Sequence, residues 1–245
     1  MQRYFAKEII KDNIVLEDSD IHHIKTVMRM RVNDKIEVIY DKKMYICSIE
    51  QIDNLRLKIE EIIEEDNGLD KEIIVAVGLV KEQKMDLILQ KLTELGVSRI
   101  IPVNMERSIV KLDSKKCEKK LLRWKMICKE ASEQSKRNDI PVVNEIINFK
   151  DLIKIEADLK LVCSVSEESN MIYNYIENDN YNSVLFVIGP EGGISLKEED
   201  YLKDNGFNLV SFGKLVLRVE TACIYIGSVL NYILNKKESM KKNRI

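Results

Sequence analysis

The apolar run Val184 to Ile188, followed at once by Gly-Pro-Glu-Gly-Gly at 189–193, constrains the fold more than any other stretch. A short continuous apolar run bounded by turn residues reads as a strand buried on both faces, and such strands belong to parallel sheets covered by helices. Three of the chain's nine glycines and one of its three prolines fall in the loop that follows. A loop of this kind leaves backbone N–H and C=O groups open to a ligand, with no side chain in the way. The arrangement recurs further on: the apolar stretch Asn208 to Phe212, then Gly213, then Leu217-Arg218-Val219-Glu220-Thr221. Two such loops predict a small-molecule pocket at the ends of parallel strands. Alone, the first loop reads equally well as a strand-to-helix turn, and Arg218 and Glu220 as a structural ion pair.

The chain changes grammar near residue 70. Before it, Ile36–Tyr40, Met44–Ile49 and Leu55–Ile62 are short β-branched runs joined by turn residues at Asp41-Lys42-Lys43 and Asp53-Asn54. One helix interrupts them, with Ser19 or Asp20 as cap and Ile21, Ile24, Val27 and Met28 on one face. This pattern predicts a small β-barrel over residues 1–68. The polar stretch Glu64 to Lys71 is the linker, and 72–245 form a second domain. There, strands at Ile73–Val77, Ile100–Val103, Leu159–Val165, Val184–Ile188 and Asn208–Phe212 alternate with helices. The helices begin near Gln83, Lys115, Ser195 and Thr221. Gly96 is placed to stop the first of them, and Ser195-Leu196-Lys197-Glu198 is a capping box for the third. Repeated strand–helix units imply an α/β domain with a parallel sheet.

Composition narrows the function classes only modestly. A net charge of −2, with 45% hydrophobic and 33% charged residues, is ordinary for a globular protein. It gives no global pull toward nucleic acid, although Lys25–Arg31, Lys111–Lys129 and Lys236–Arg244 are locally basic. The charged opening residues and the lack of a long apolar run predict neither a signal peptide nor a membrane span, hence a cytoplasmic protein. Five scattered cysteines without a Cys-x-x-Cys pair predict reduced thiols and no zinc site. The adjacent His22 and His23 lack ligating companions, so no metal is expected. Trp124 lies on the apolar stripe of its helix and reads as core in preference to a base-stacking group. Glu130, Gln134 and Arg137 share one helix face, which is either solvated or RNA-facing.

Taken together and in order, these blocks resemble the RsmE family of ribosomal RNA methyltransferases, within the knotted SPOUT class. The resemblance is carried by Gly189-Pro190-Glu191-Gly192-Gly193, Gly213 and Leu217-Arg218-x-Glu220-Thr221-Ala222. Upstream it continues through Gln90-Lys91-Leu92-Thr93-Glu94-Leu95-Gly96-Val97, Arg107-Ser108, Arg123-Trp124 and Glu130-Ala131-Ser132-Glu133-Gln134-Ser135-x-Arg137. At the N-terminus His22-His23-x-x-x-Val27-Met28-Arg29 matches as well. The chain departs from the family pattern at Asn33, Phe212, Leu215 and Val219. Asn33 stands where the family has the glycine of a turn, a place that asparagine tolerates.

The resemblance implies a PUA-like N-terminal β-barrel, a SPOUT domain with a trefoil knot, and a homodimer. It implies S-adenosylmethionine as cofactor and N3 of one uridine in 16S ribosomal RNA of the small subunit as target. It further implies cofactor contacts from Ile188, Gly189, Glu191, Gly192, Gly193, Phe212, Gly213, Leu215, Leu217 and Thr221. Arg218 is expected to stabilise charge on the base, and Glu220 either to orient Arg218 or to accept the N3 proton. Arg3, Arg29, Arg31, Lys84, Arg107, Gln134 and Arg137 are expected at the RNA, mostly on phosphates. Two alternatives stay open at this level: a SPOUT enzyme with another RNA target, and a non-catalytic RNA-binding assembly factor.

Overall fold

The computed structural model describes residues 1–11, 13–64, 67–110, 114–177 and 180–242. Parts of the expected linker (65–66), of the basic stretch at 111–129 (111–113) and of the basic tail (243–244) lie outside them. Two compact units are present, Met1–Gly68 with Lys129–Ile140, and Leu69–Cys128 with Pro141–Ile245.

The first unit is built from strands because its short β-branched runs cannot bury enough surface as helices. β1 (Gln2–Phe5), β4 (Lys35–Tyr40), β5 (Lys43–Gln51) and β6 (Arg56–Ile63) form one sheet in the order β1-β4-β5-β6. β1 lies parallel to β4, and the other pairs are antiparallel. β2 (Glu8–Ile10) and β3 (Asn13–Val15) form a separate antiparallel pair. Tyr4, Ile14, Leu16, Ile24, Ile36, Val38, Cys47, Ile49 and Leu57 fill a single core. The expected barrel is therefore two sheets around one core. The β4–β5 hairpin turns through Asp41 (φ 47°) and Lys42 (φ 61°), the doubly left-handed geometry that fits the strand twist. Asn33 adopts φ 74°, as expected of its turn.

The helix of this unit differs from its predicted form. α1 (Asp18–His22) has Glu17 at its N-cap position with no side-chain capping bond, so Ser19 and Asp20 lie inside the helix and do not cap it, and it continues as one π-helical stretch, His23–Val27. The wider turn shifts the face: Ile24 stays buried while Val27 and Met28 become exposed. Arg29 closes the turn at φ 51°, left-handed for a residue with a Cβ. Asp20 is buried inside α1 and takes a hydrogen bond from the Lys129 ammonium at 2.6 Å.

Arg3 is the polar centre of this unit. The residue is 6% exposed, and its guanidinium donates to Glu37 at 2.8 Å, the Arg137 carbonyl at 3.0 Å and Asn138 at 2.8 Å. It also donates to the Lys136 carbonyl. Burial alone would raise the Glu37 carboxyl, but hydrogen bonds from Arg3 and Lys136 outweigh it and hold Glu37 below the usual carboxylate range.

The second unit carries a seven-stranded sheet, parallel throughout. Its order is β10 (Ile147–Asn148), β8 (Arg99–Asn104), β7 (Glu72–Gly78), β12 (Ser183–Ile188), β11 (Leu159–Cys163), β13 (Asn208–Val210), with β9 (Val142–Val143) also on β8. Alternate residues of β7 and β12 enter opposite faces, and every side chain from Ile73 to Val77 and from Val184 to Ile188 is buried. One face is filled by Ile74, Ala76, Leu185 and Val187 together with Leu202 of α5 (Leu196–Asp204). α2 (Glu82–Glu94) packs against α6 (Val219–Lys242), where a Cβ at Gly227 would come 3.0 Å from Leu95. Gly96 ends α2 at φ 88°. α3 (Ser114–Gln134) buries Trp124, which is 2% exposed and belongs to the core as expected. α4 (Tyr173–Ile176) is a single short turn. β13 is shorter than the predicted strand, and α6 begins two residues earlier than predicted, because the Arg218 carbonyl already accepts the Ala222 N–H at 2.8 Å. Among the described residues no helix is long and apolar enough to cross a membrane.

Replacing Arg3 with alanine leaves Glu37 and two carbonyls short of buried donors, with an expected loss of about 3 kcal/mol in denaturant unfolding. Arg3→Lys should recover little, because one ammonium cannot reproduce the fork. Glu37 titrates lower folded than unfolded, so its stabilisation is full above the ordinary carboxylate range and lost as pH falls through the folded value. Glu37→Gln should therefore flatten part of the acid limb of the stability curve.

Candidate active site

Register sets the place of the site. Ile188 lies opposite Val77 on one side and Cys163 on the other, and Cys163 lies opposite Val210. Four parallel strands thus end at one level, and the segments that follow them share one edge of the sheet. The first loop (189–195) leaves β12 there, and the second (211–218) leaves β13, two strands away.

The first loop is held by its own turn and by its neighbours. The Gly193 N–H donates to the Pro190 carbonyl at 2.8 Å, and Gly193 takes φ 72°, which glycine adopts without strain. Arg107, just past β8, donates Nη1 to the Gly192 carbonyl at 3.0 Å. Gly78 closes the other flank: a Cβ there would sit 2.5 Å from the Pro190 ring. The loop then enters α5 through the capping box expected from sequence. The Ser195 hydroxyl accepts the Glu198 N–H at 3.4 Å, and Glu198 accepts the Ser195 N–H at 3.0 Å. Glu106 joins in, accepting the Ser195 hydroxyl at 2.7 Å and donating its N–H to Glu198 at 2.9 Å.

The second loop is organised by Ser211. Its backbone bridges Met171, and its hydroxyl accepts the Gly213 N–H at 3.2 Å. Gly213 sits at φ 117° with nothing within 4 Å of where a Cβ would be, so the loop borders open space. Beyond it Leu215 and Val216 are 79% and 80% exposed, large apolar side chains left without cover. Phe212 is steadied by the Tyr225 ring of α6 at 5.2 Å.

Charged groups converge between the loops. Lys84, in the first turn of α2, lies 3.4 Å from Glu191 of the first loop and 3.5 Å from Glu220 in the first turn of α6. Glu220 Oε2 is buried and accepts no hydrogen bond. The Arg218 side chain is exposed and, among the described residues, has neither a hydrogen bond nor an ion pair, so the Arg218–Glu220 pair considered from sequence is not formed. Cys163 and Cys223 flank this edge, and burial pushes both thiols up, so neither supplies a thiolate. Among the described residues no cluster suits a metal ion.

The residues expected at RNA separate into three groups. Arg29, Arg31 and Gln134 are exposed. Arg3 is buried with its donors committed, and Arg137 is tied to Asp139 at 2.9 Å, so neither side chain is free for a phosphate as expected. Lys84 and Arg107 belong to the loop scaffold of the second unit. Sequence reasoning passed over Gly78, Glu106 and Ser211. Only Gly78 left a signal, a glycine closing the continuous apolar run of β7.

The chain, which holds a parallel sheet with paired glycine loops at one strand edge and a separate strand-built unit, matches two family models. A model described as an RNA methyltransferase domain covers residues 67–231, and one described as an RNA methyltransferase PUA domain covers 16–62. The chain belongs to the ribosomal RNA small subunit methyltransferase E family of these RNA methyltransferases. The Bacillus subtilis (strain 168) protein of that name is 35% identical over 95% of this chain and 96% of its own length. The Neisseria gonorrhoeae protein of that name, solved bound to S-adenosylmethionine, has a TM-score of 0.85 at 30% identity. The match covers 94% of this chain and 96% of that one. A Legionella pneumophila protein solved with the same cofactor has a TM-score of 0.88 at 29% identity, covering 95% and 97%.

Gly78→Ala should force the Pro190 ring away and cost about 1–3 kcal/mol, measured by thermal or denaturant unfolding. Wild-type stability would show that the loop yields freely.

Proposed function

We propose that this chain transfers a methyl group from S-adenosylmethionine to N3 of one uridine in the RNA of the small ribosomal subunit. It does so in the cytoplasm, as a homodimer, and with the knotted connection that its resemblance implies. The observation that supports this reading is that two glycine loops, the second followed by Arg218 and Glu220, leave the parallel sheet at one edge.

The residues present fit the cofactor. Open space at Gly213, bordered by Phe212, Leu215 and Leu217, offers apolar and backbone surface for an adenine. Ile188, Gly189, Glu191, Gly192 and Gly193 lie at and just beyond the end of β12 and would hold the cofactor from the first loop, with Thr221 in the first turn of α6 beside them. When bound, the cofactor supplies a methyl group on a positively charged sulfur.

The chain's own residues must then make N3 of uracil a nucleophile, because that nitrogen carries a proton and attacks poorly while it does. Arg218 is uncommitted and can place its guanidinium on the negative charge that spreads to the uracil oxygens as the proton leaves. Glu220 accepts that proton: its Oε2 accepts no hydrogen bond, with the Lys84 ammonium 3.5 Å away, and it makes no bond to Arg218. Arg29, Arg31 and Gln134 of the first unit position the RNA backbone, a role supported by their exposure. Tyr232 of α6, a large exposed side chain, supports a dimer face on that helix.

Primer extension across the ribosomal RNA of a deletion strain, with and without the gene restored, tests the target, since N3-methyluridine blocks pairing and stops the polymerase. No gene-dependent stop would sink the proposed position. Arg218→Ala should abolish transfer while calorimetry finds cofactor binding nearly unchanged. Glu220→Gln should lower kcat by about 10²–10⁴-fold, with activity returning as pH rises and N3 loses its proton unaided. An equal deficit at every pH would remove Glu220 as the acceptor. Affinity for RNA should fall steeply with salt.

A further inference from the structure

We propose that Lys84 is a positioning residue of this site and not one of its phosphate contacts. Its ammonium fastens the first loop to the start of α6. The inference rests on the reading of the two loops as the methyl-transfer site, and it adds a residue whose place in the sequence, on the exposed-looking first turn of α2, suggested RNA.

Three observations carry it. Lys84 faces two carboxylates at once, Glu191 at 3.4 Å and Glu220 at 3.5 Å, from two segments that are 29 residues apart in the chain and joined by no other ion pair among the described residues. Its side chain is 31% exposed, against 22% for Glu191 and 16% for Glu220, so all three are largely withdrawn from water and the pairing is screened less than on an open surface. Glu220 Oε2 accepts no hydrogen bond, so the ammonium is the one cation holding that buried oxygen among the described residues. Without it two carboxylates would share a partly buried site with no cation between them, which favours protonation of one or separation of both. Either change displaces the first loop or α6, and a displacement of about 1 Å at a reacting centre costs on the order of 10²-fold in rate.

The first loop is then held from two sides by different means. Arg107 grips its backbone at the Gly192 carbonyl, while Lys84 grips its side chain at Glu191. Only the second grip also reaches the group assigned to the N3 proton.

The test compares Lys84→Met and Lys84→Arg with the wild-type full-length protein. Lys84→Met should lower kcat by about 10–100-fold. The KM for RNA and the salt dependence of RNA binding should not change. In the protein with no cofactor added, amide exchange should quicken at 191–193 and in the first turn of α6. Lys84→Arg, which can still bridge two carboxylates, should recover most of the activity and the slow exchange. Wild-type exchange in Lys84→Met overturns the proposal, whatever the activity. So does a normal kcat with a salt slope reduced by about one, the mark of a lost phosphate contact. If Lys84→Arg is as impaired as Lys84→Met and both melt early, the residue serves stability alone and the proposal also fails. A wild-type protein that transfers no methyl group would sink the functional reading instead, and the exchange comparison would still decide the role of Lys84.

Discussion

The common level at which β7, β12, β11 and β13 end is the constraint on which the rest of this protein depends. Parallel pairing slants every hydrogen bond the same way, so registers that match strand to strand bring all the C-terminal ends to one edge. Here Val77, Ile188, Cys163 and Val210 lie in one row, and everything with chemical interest follows that row. Burial on both faces fixes the register, because a slip by one residue would exchange the two buried faces of β7 and β12. The loops can therefore be spare in side chains: their place is set by the strands that deliver them.

Much of the second unit was legible because its signals are local. The capping box at Ser195 and Glu198, the stop at Gly96 and the apolar runs of β7, β8 and β12 are each settled within a few residues. The left-handed turn at Asn33 was legible for the same reason. The short strands β1, β9 and β10 were not, since two to four residues carry too little pattern to be told from loop. Nor was the π-helical stretch at His23–Val27, which turns Val27 and Met28 outward where a regular helix would have kept them in.

Charged residues were the hard part of the site. A formal charge in a sequence says nothing about whether its partner lies within the same molecule. Arg3 reads as an exposed basic residue near the N-terminus, yet it is buried, because Glu37 and the carbonyls near residue 137 converge on it from remote positions. Arg29 and Arg31, identical in kind, have no such convergence. The glycine loops and the Arg218 and Glu220 positions were legible through their family pattern, whereas the meeting of Lys84 with Glu191 and Glu220 depends on how α2, the first loop and α6 fold around the sheet.

Arg29 closes the π-helical turn in a backbone conformation that costs a residue with a side chain roughly 1–2 kcal/mol and costs glycine nothing. Glycine there would remove that cost. Glycine would also take the guanidinium away, so the backbone strain and the exposed positive charge at this position come as one choice.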